Sequence, residues 1–204
     1  MESTPPMDPY RRLQDMVREA PQLMAALVAA RQLGLASWCI GAGAVRTLVW
    51  DALHGFEKPS VLEDIDVVFF EASSCHPACE AELERQLTAL MPGPCWDVTN
   101  QATVHQWFLE RHGQMVPPAR SLEEGIATWP EFATCVGVSL RADDSLHIVA
   151  PHGLEDLFAL RVRHNPVRAS AATYRQRVEQ KRYAQRWPRL EVIPAEDPCQ
   201  MFHR

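Results

Sequence analysis

Three aspartates have a spacing that suits metal-dependent chemistry. Asp64 and Asp66 are two residues apart in the β-branched and aromatic run 64–70, so a strand there points both carboxylates from one face. Asp97 lies in a second short alternating run, 95–99, on the face opposite to its apolar neighbours. Three carboxylates of this kind could hold one or two Mg²⁺ or Mn²⁺ ions for phosphoryl transfer. For the Asp-x-Asp pair alone, a solvated turn is the alternative.

A tight turn precedes these aspartates in the sequence. Gly41, Ala42 and Gly43 separate a predicted short strand, 37–40, from a predicted helix, 44–54. The first backbone N–H groups of a helix have no partner inside the helix, and they readily bind phosphate. The turn is therefore a candidate phosphate site, 21 residues before Asp64 in the chain.

Two arginines are candidate phosphate ligands with an open structural alternative. Arg46 follows the turn closely and could pair with a triphosphate, or it could bind Glu63 or Asp51 at the edge of the sheet. Arg163 leaves the same choice between phosphate and a structural partner.

Positive charge is concentrated in one segment of an acidic chain. The net charge of the protein is −6, but residues 161–190 contain nine arginines and lysines and a single acid, Glu179. Such clustering is typical of contact with a polyanion. A solvated helix that faces an acidic domain would have the same composition.

The hydrophobic pattern predicts an α/β (α+β) fold, a small mixed sheet covered by helices on one face. The N-terminal helices are predicted to break at Pro21, and a hairpin is predicted to turn at Asp143–Asp144. The other predicted elements are a strand over 95–99, helices over 77–90, 101–112, 154–162 and 171–186, and the hairpin strands 135–140 and 146–150.

Length and composition fit a single domain. With 204 residues, 47% of them hydrophobic, the chain can bury one core. We expect that core over about residues 20–165, a basic helical C-terminal segment over 166–190 and a loose tail over 191–204. No internal repeat is visible.

Several features indicate a cytoplasmic protein without a membrane segment. The longest apolar runs are far shorter than the roughly 18 residues that cross a bilayer. The first ten residues lack a basic start and an apolar stretch, so no export signal is expected. The six cysteines are scattered, and several lie in apolar runs, which suits a reducing compartment.

Three ordered motifs resemble the nucleotidyltransferase superfamily of DNA polymerase beta. Residues 40–46 and 63–66 are similar to the head-domain signature of tRNA CCA-adding enzymes, a glycine turn with Val-Arg followed by Asp-x-Asp. Residues 153–157, with Arg163 six residues further on, resemble the element that closes that head domain. The resemblance covers roughly residues 20–190, and it is strongest to a bacterial group of small stand-alone nucleotidyltransferase-like proteins.

This resemblance implies a polymerase-beta-type core and transfer of a nucleoside monophosphate from an NTP to a hydroxyl acceptor. It assigns Asp64 and Asp66 to catalysis and metal binding, with Mg²⁺ or Mn²⁺ as cofactor. From its place on the strand over 95–99, we expect Asp97 to be the third catalytic and metal-binding carboxylate. The resemblance assigns Gly41, Ala42, Gly43, Arg46 and Arg163 to the nucleotide. The acceptor is left open among RNA, protein and small molecules. Ala42 departs from the signature, which has a glycine there, and the chain ends where the parts that hold tRNA would begin.

Two other functions fit some of these features. The first is a catalytically degenerate module that binds nucleotides and regulates. The second is an RNA-interacting protein that uses the basic C-terminal helix, whose binding would depend on salt.

Overall fold

The computed structural model describes residues 7–60, 64–73, 77–112 and 115–195. In this part of the chain no helix combines the length and the apolar character that crossing a bilayer requires. The helices are α1 (Pro9–Arg18), α2 (Pro21–Arg31), α3 (Ala42–His54), α4 (Pro77–Leu90), α5 (Val104–His112), α6 (Leu122–Ile126), α7 (Glu155–Phe158), α8 (Ala171–Lys181) and α9 (Tyr183–Arg186). The strands are β1 (Trp38–Gly41), β2 (Ile65–Phe69), β3 (Trp96–Asn100), β4 (Gly137–Leu140), β5 (Leu146–Val149), β6 (Arg161–Val162) and β7 (Glu191–Val192).

Local sequence explains where the helices near the sheet begin and end. Pro9 and Pro21 occupy first-turn positions of α1 and α2, where a missing N–H loses nothing. Asp8 caps α1 through its side chain. Helix α3 ends at Gly55, whose φ of 69° is the left-handed conformation that glycine adopts without strain. The break at Pro21 that the sequence predicts is confirmed.

The main sheet is mixed, as the sequence predicts. Its five strands follow the order β3-β2-β1-β4-β5. Strands β2 and β3 are parallel and are joined through α4, whereas β1 pairs antiparallel with both β2 and β4. Strands β4 and β5 form the predicted hairpin. The parallel pair of β3 and β2 lies at one edge of the sheet. Its register places each residue of β2 directly beside a residue of β3.

Helices cover both faces of the sheet, whereas the sequence analysis expected them on one. The larger core packs α1 to α3 and the C-terminal helices against one face, around Trp50 and Leu27. A smaller cluster on the other face joins Cys39 and Val68 to Leu122 and Ile126 of α6. The expectation failed because five-residue α6 is too short to give a helical period in the sequence.

The C-terminal segment is fixed to α3 by a buried contact. The indole Nε1–H of Trp187 donates to Oδ1 of Asp51 at 2.7 Å, and the rings of Trp187 and Trp50 meet edge to face at 5.1 Å. Asp51 also accepts from the backbone N–H and the hydroxyl of Ser60. Because Trp50 and Trp187 are fully buried, this contact determines where α8 and α9 lie.

The structure corrects three predictions in this region. Residues 154–162 do not form one helix: α7 is four residues long, Leu160 has φ 55°, and 161–162 form strand β6. A left-handed residue ends an α-helix, and the chain then pairs with β7. Residues 191–192 are therefore a strand and not the start of a loose tail. The predicted helix 171–186 is interrupted at Arg182, with φ 52°.

We predict that Asp51→Ala destabilises the protein by about 2–3 kcal/mol, because it leaves the Trp187 N–H buried without an acceptor. For a chain of this size, this is a fall in Tm of about 5–10 °C. Thermal unfolding followed by circular dichroism measures it. Asp15→Ala, at an exposed position of α1, is the control and is expected to change little. Equal stability of the two variants would contradict an anchoring role for Asp51.

Candidate active site

The parallel strands β2 and β3 place Asp66 and Asp97 side by side. The two residues are direct partners in the strand register, and neighbouring strands lie about 4.8 Å apart. Asp97 is exposed, whereas Trp96 beside it is buried on the other face of the sheet. Asp64 immediately precedes β2. The structure thus brings the three predicted carboxylates to one edge of the sheet.

The surroundings of Asp66 disfavour its negative charge. Burial, together with the charges of Asp64 and Asp97, raises the pKa of this carboxyl to about 6. The N–H of Gly43 and the positive charge of Lys181 act in the opposite direction. Three carboxylates therefore converge on a place where additional positive charge would be stabilising.

The glycine turn packs against these carboxylates. A Cβ on Gly43 would lie 3.7 Å from Oδ2 of Asp66 and 3.9 Å from Oδ1 of Asp64. At Gly41, a Cβ would lie 2.6 Å from the ring of Trp129. Ala42, between them, has φ 44° at the start of α3. The glycine of the family signature would occupy this conformation without strain, so the alanine is tolerated at an energetic cost.

Arg46 is held in an aromatic pocket behind the turn. The side chain is buried, Nη1 donates to the hydroxyl of Tyr183 at 3.2 Å, and the guanidinium lies 5.1–5.8 Å from three ring centres. Its Nη2 lies 3.8 Å from the place of a Cβ on Gly43, and in the described part of the chain its buried Nε has no hydrogen-bond partner. Of the two structural partners considered for Arg46, Asp51 is bound to Ser60 and Trp187, and Glu63 lies outside the described residues.

Arg163 is not brought to the turn or to the carboxylates. Its Nε donates to Oδ2 of Asp156 at 2.7 Å, and its guanidinium lies over the ring of Phe132. Asp156 also pairs with Arg161. The structure therefore places Arg163 in a structural ion pair, the alternative that the sequence analysis left open.

A cleft of about 560 Å³ runs from the carboxylates along the C-terminal segment. Asp66 and Asp97 line one end of it, and Arg168 and Arg177 line it from the segment that the sequence marks as basic. The cleft is also lined by Ala42, Val68, Thr99, Gln101, Val104, Phe108, Thr128, Trp129, Pro130, Thr134, Ala169, Ser170 and Thr173.

The sequence analysis missed three cations as site residues: Arg168 and Arg177, which line the cleft, and Lys181, whose charge acts on Asp66. Arg177 is fixed by the fully buried Glu131, which accepts from Nε at 2.8 Å and from Nη2 at 3.3 Å. The concentration of charge in 161–190 was the available signal, but nothing in the sequence identifies which of its residues turn inward.

The donor set of this site fits a magnesium ion in its chemistry. Carboxylate oxygens are the ligands that hard divalent cations prefer. Burial together with the charges of Asp64 and Asp97 raises the pKa of Asp66, so a cation at this site would stabilise its charge. In the described part of the chain, however, no three acidic, histidine or cysteine side chains are already arranged as a metal site. Binding an ion thus requires the three carboxylates to rearrange around it.

The chain is similar in sequence and in fold to known proteins. A family model described as nucleotidyltransferase matches residues 28–192. A solved NMR structure, described as revealing a CCA-adding enzyme head domain, is 27% identical with a TM-score of 0.76, over 91% of this chain and 96% of its own. Comparison with curated protein sequences gives no match.

Full-length CCA-adding enzymes share the fold at lower identity. A complex of a CCA-adding enzyme with CTP is 15% identical, with a TM-score of 0.52 over 95% of this chain and 44% of the enzyme. An apo form of a CCA-adding enzyme is 13% identical, with a TM-score of 0.50 over 93% and 44%. The chain thus spans less than half the length of these enzymes.

We predict that Asp66→Asn stabilises the ligand-free protein by about 1 kcal/mol, because an amide has no charge to desolvate. The folded-state pKa of about 6 exceeds the ordinary 3.8, so the charge opposes folding most strongly above pH 6 and not at all well below pH 3.8. The gain in Tm over the parent is therefore expected above pH 6 and should vanish on acidification. A variant that is less stable than the parent above pH 6 would contradict this, with Asp15→Asn as control.

We predict opposite effects for substitutions at two neighbouring turn positions. Ala42→Gly should stabilise the protein by about 0.5–1 kcal/mol, because it removes left-handed strain at some entropic cost. Gly41→Ala should destabilise it by about 1–3 kcal/mol, because its methyl group overlaps the Trp129 ring. Urea unfolding of both variants measures the difference. Destabilisation by Ala42→Gly would show that the turn is not strained.

Proposed function

Because the chain belongs to the nucleotidyltransferase family, we propose that it transfers a nucleoside monophosphate from an NTP to a hydroxyl acceptor. The observation that carries the proposal is the pairing of Asp66 with Asp97 beside the first turn of α3. In the reaction, the acceptor oxygen forms a bond to the α-phosphorus, the bond from this phosphorus to the β-phosphate oxygen breaks, and pyrophosphate leaves. The hydroxyl proton is lost.

Asp64, Asp66 and Asp97 are the residues that would hold Mg²⁺. When bound, the metal would neutralise phosphate charge and favour loss of the acceptor proton. The carboxylates suit this role because Asp66 is partly buried between two like charges, and it therefore gains from a cation more than an exposed carboxylate would.

The turn and its arginine form the phosphate side of the proposed site. Gly43 leaves the space that a side chain would take, so phosphate oxygens can approach the backbone N–H groups at the start of α3. Arg46 lies behind the turn, and its aromatic neighbours restrict its motion. A guanidinium fixed in this way adds positive charge without reorganisation during the reaction.

Helix α8 supplies further positive charge to the same place. Lys181 acts on the charge of Asp66, and Arg177 lines the cleft while Glu131 fixes two of its nitrogens. In phosphoryl-type transfer, positioning and charge stabilisation provide most of the rate acceleration. A site that holds phosphates between these cations and the carboxylates supplies both.

Asp97 favours transfer over mere nucleotide binding. It is exposed at the cleft, where it can help to bind the acceptor-side metal, and simple phosphate binding gives a third carboxylate no role.

The basic segment is also less available to RNA than its charge suggests. Arg161 pairs with Asp156 and Glu191, Arg177 pairs with Glu131, and Arg168 is buried.

We predict that Asp97→Ala keeps Mg–NTP binding but loses about 10²-fold or more of the transfer rate. Asp66→Asn should lose both. Thermal shift with Mg²⁺ and a non-hydrolysable NTP measures binding. Incubation with each labelled NTP and cell extract, followed by separation of RNA, protein and small molecules, finds the labelled acceptor and measures transfer to it.

Asp15→Ala is the control for both measurements. Normal transfer by a folded Asp97→Ala variant would contradict the assignment of Asp97 to an acceptor-side metal. Binding of the nucleotide without any labelled product from the parent protein would instead favour the degenerate module.

A further inference from the structure

Arg168 is a buried cation that lacks a full set of partners. Its side chain lines the cleft, and the residue is only 9% exposed. Nη2 donates to the carbonyl oxygen of Pro117 at 2.7 Å, but Nη1 is buried without a hydrogen-bond partner among the residues that the structure describes. A buried guanidinium nitrogen that is left unpaired is costly. This position therefore favours a ligand that accepts hydrogen bonds and carries negative charge.

The first turn of α8 is directed at the same part of the cleft. Ala169, Ser170 and Thr173 line the cleft together with Arg168. Ser170 caps the helix by accepting from the N–H of Thr173 at 3.1 Å, and the first turn contains no acidic residue. The remaining N–H groups and the helix dipole favour an anion here. The unpartnered guanidinium of Arg168 and the N-terminus of α8 thus both favour an anion in this part of the cleft.

This place is separate from the carboxylates. Asp66 and Asp97 line the cleft from β2 and β3, whereas Arg168 and the first turn of α8 line it from the C-terminal segment. Burial alone lowers the pKa of Arg168, without a contribution from any charged neighbour. An anion at Arg168 would therefore contact a different set of groups from the triphosphate that the carboxylates and the glycine turn would hold.

We propose that Arg168 and the N-terminus of α8 bind a phosphate group of the acceptor, which is therefore a phosphorylated hydroxyl compound. This inference rests on the proposed function, and it names the chemical class of the second substrate. The anion is anchored at one end of the cleft, and the acceptor hydroxyl is directed towards Asp97 at the other. The triphosphate of the NTP is the other group that could supply a phosphate at this position. The experiment below distinguishes it from a phosphate of the acceptor.

The test is a titration with inorganic phosphate at constant ionic strength, followed by backbone amide chemical shifts of α8. Two variants remove the site in different ways. Arg168→Gln removes the cation. Ser170→Asp keeps a good helix cap, so the fold is retained, but it places a negative charge where the phosphate would bind. Arg11→Gln, at an exposed position of α1, is the control with the same change of charge.

We expect both cleft variants to weaken phosphate binding about tenfold or more, since a charge-assisted hydrogen bond is lost or a repulsion gained. Arg11→Gln should bind phosphate as the parent does. A Mg–NTP analogue should bind to Arg168→Gln with unchanged affinity, and phosphate should still bind when the analogue is present. This set of results supports an acceptor phosphate site.

Other results would overturn the proposal. Equal phosphate affinity in the parent and both variants, or no phosphate binding in a parent that binds Mg–NTP, removes the anion site. Competition between phosphate and the analogue, with Arg168→Gln weakening both, assigns the position to the NTP. If the parent protein binds no Mg–NTP at all, the proposed function is wrong. If the same protein still binds phosphate at α8, only the proposed function has failed and the anion site remains.

Discussion

The rest of the site depends on the repulsion between carboxylates that the parallel strands β2 and β3 hold in register. Asp66 and Asp97 cannot move apart without breaking strand pairing, and Asp64 adds a third charge to a partly buried place. A protein retains such an arrangement at a cost to its stability. The neighbouring elements are consequently those that bring positive charge or backbone N–H groups to the same edge of the sheet.

The positive charge arrives from the far end of the sequence. Helix α8 follows the cleft because the chain after it is fixed to α3: Trp187 bonds to Asp51, and Arg189 donates to the carbonyl of Leu53. The same packing surrounds Arg46 with rings from α3 and from the C-terminal segment. The core contact between α3 and the C-terminal segment thus determines where the cations of the site lie.

Elements with a strong local signal could be predicted from the sequence, and positions that depend on tertiary contacts could not. The alternation around Asp64, Asp66 and Asp97 indicated their strands because side chains alternate along a strand. The parallel register of β2 with β3 has no local signal. The sequence also does not show that Arg163 pairs with Asp156 or that Arg168 lines the cleft, because both positions depend on tertiary contacts. Leu160, left-handed although it is not glycine, ended a helix that its apolar neighbours favoured.

The two ends of the cleft differ in what they can bind. This difference constrains the orientation in which a molecule with a phosphate and a hydroxyl group would bind in the cleft. The end at Asp66 and Asp97 is anionic and requires cations before it can accept phosphates. The end at Arg168 is cationic without any added ion, and one of its donors is already desolvated and unpaired. A molecule with one phosphate and one hydroxyl would have its lowest energy with the phosphate at Arg168 and the hydroxyl at the metal end, because the reverse orientation leaves the guanidinium unpaired. Charge therefore favours this orientation of the proposed acceptor in the cleft.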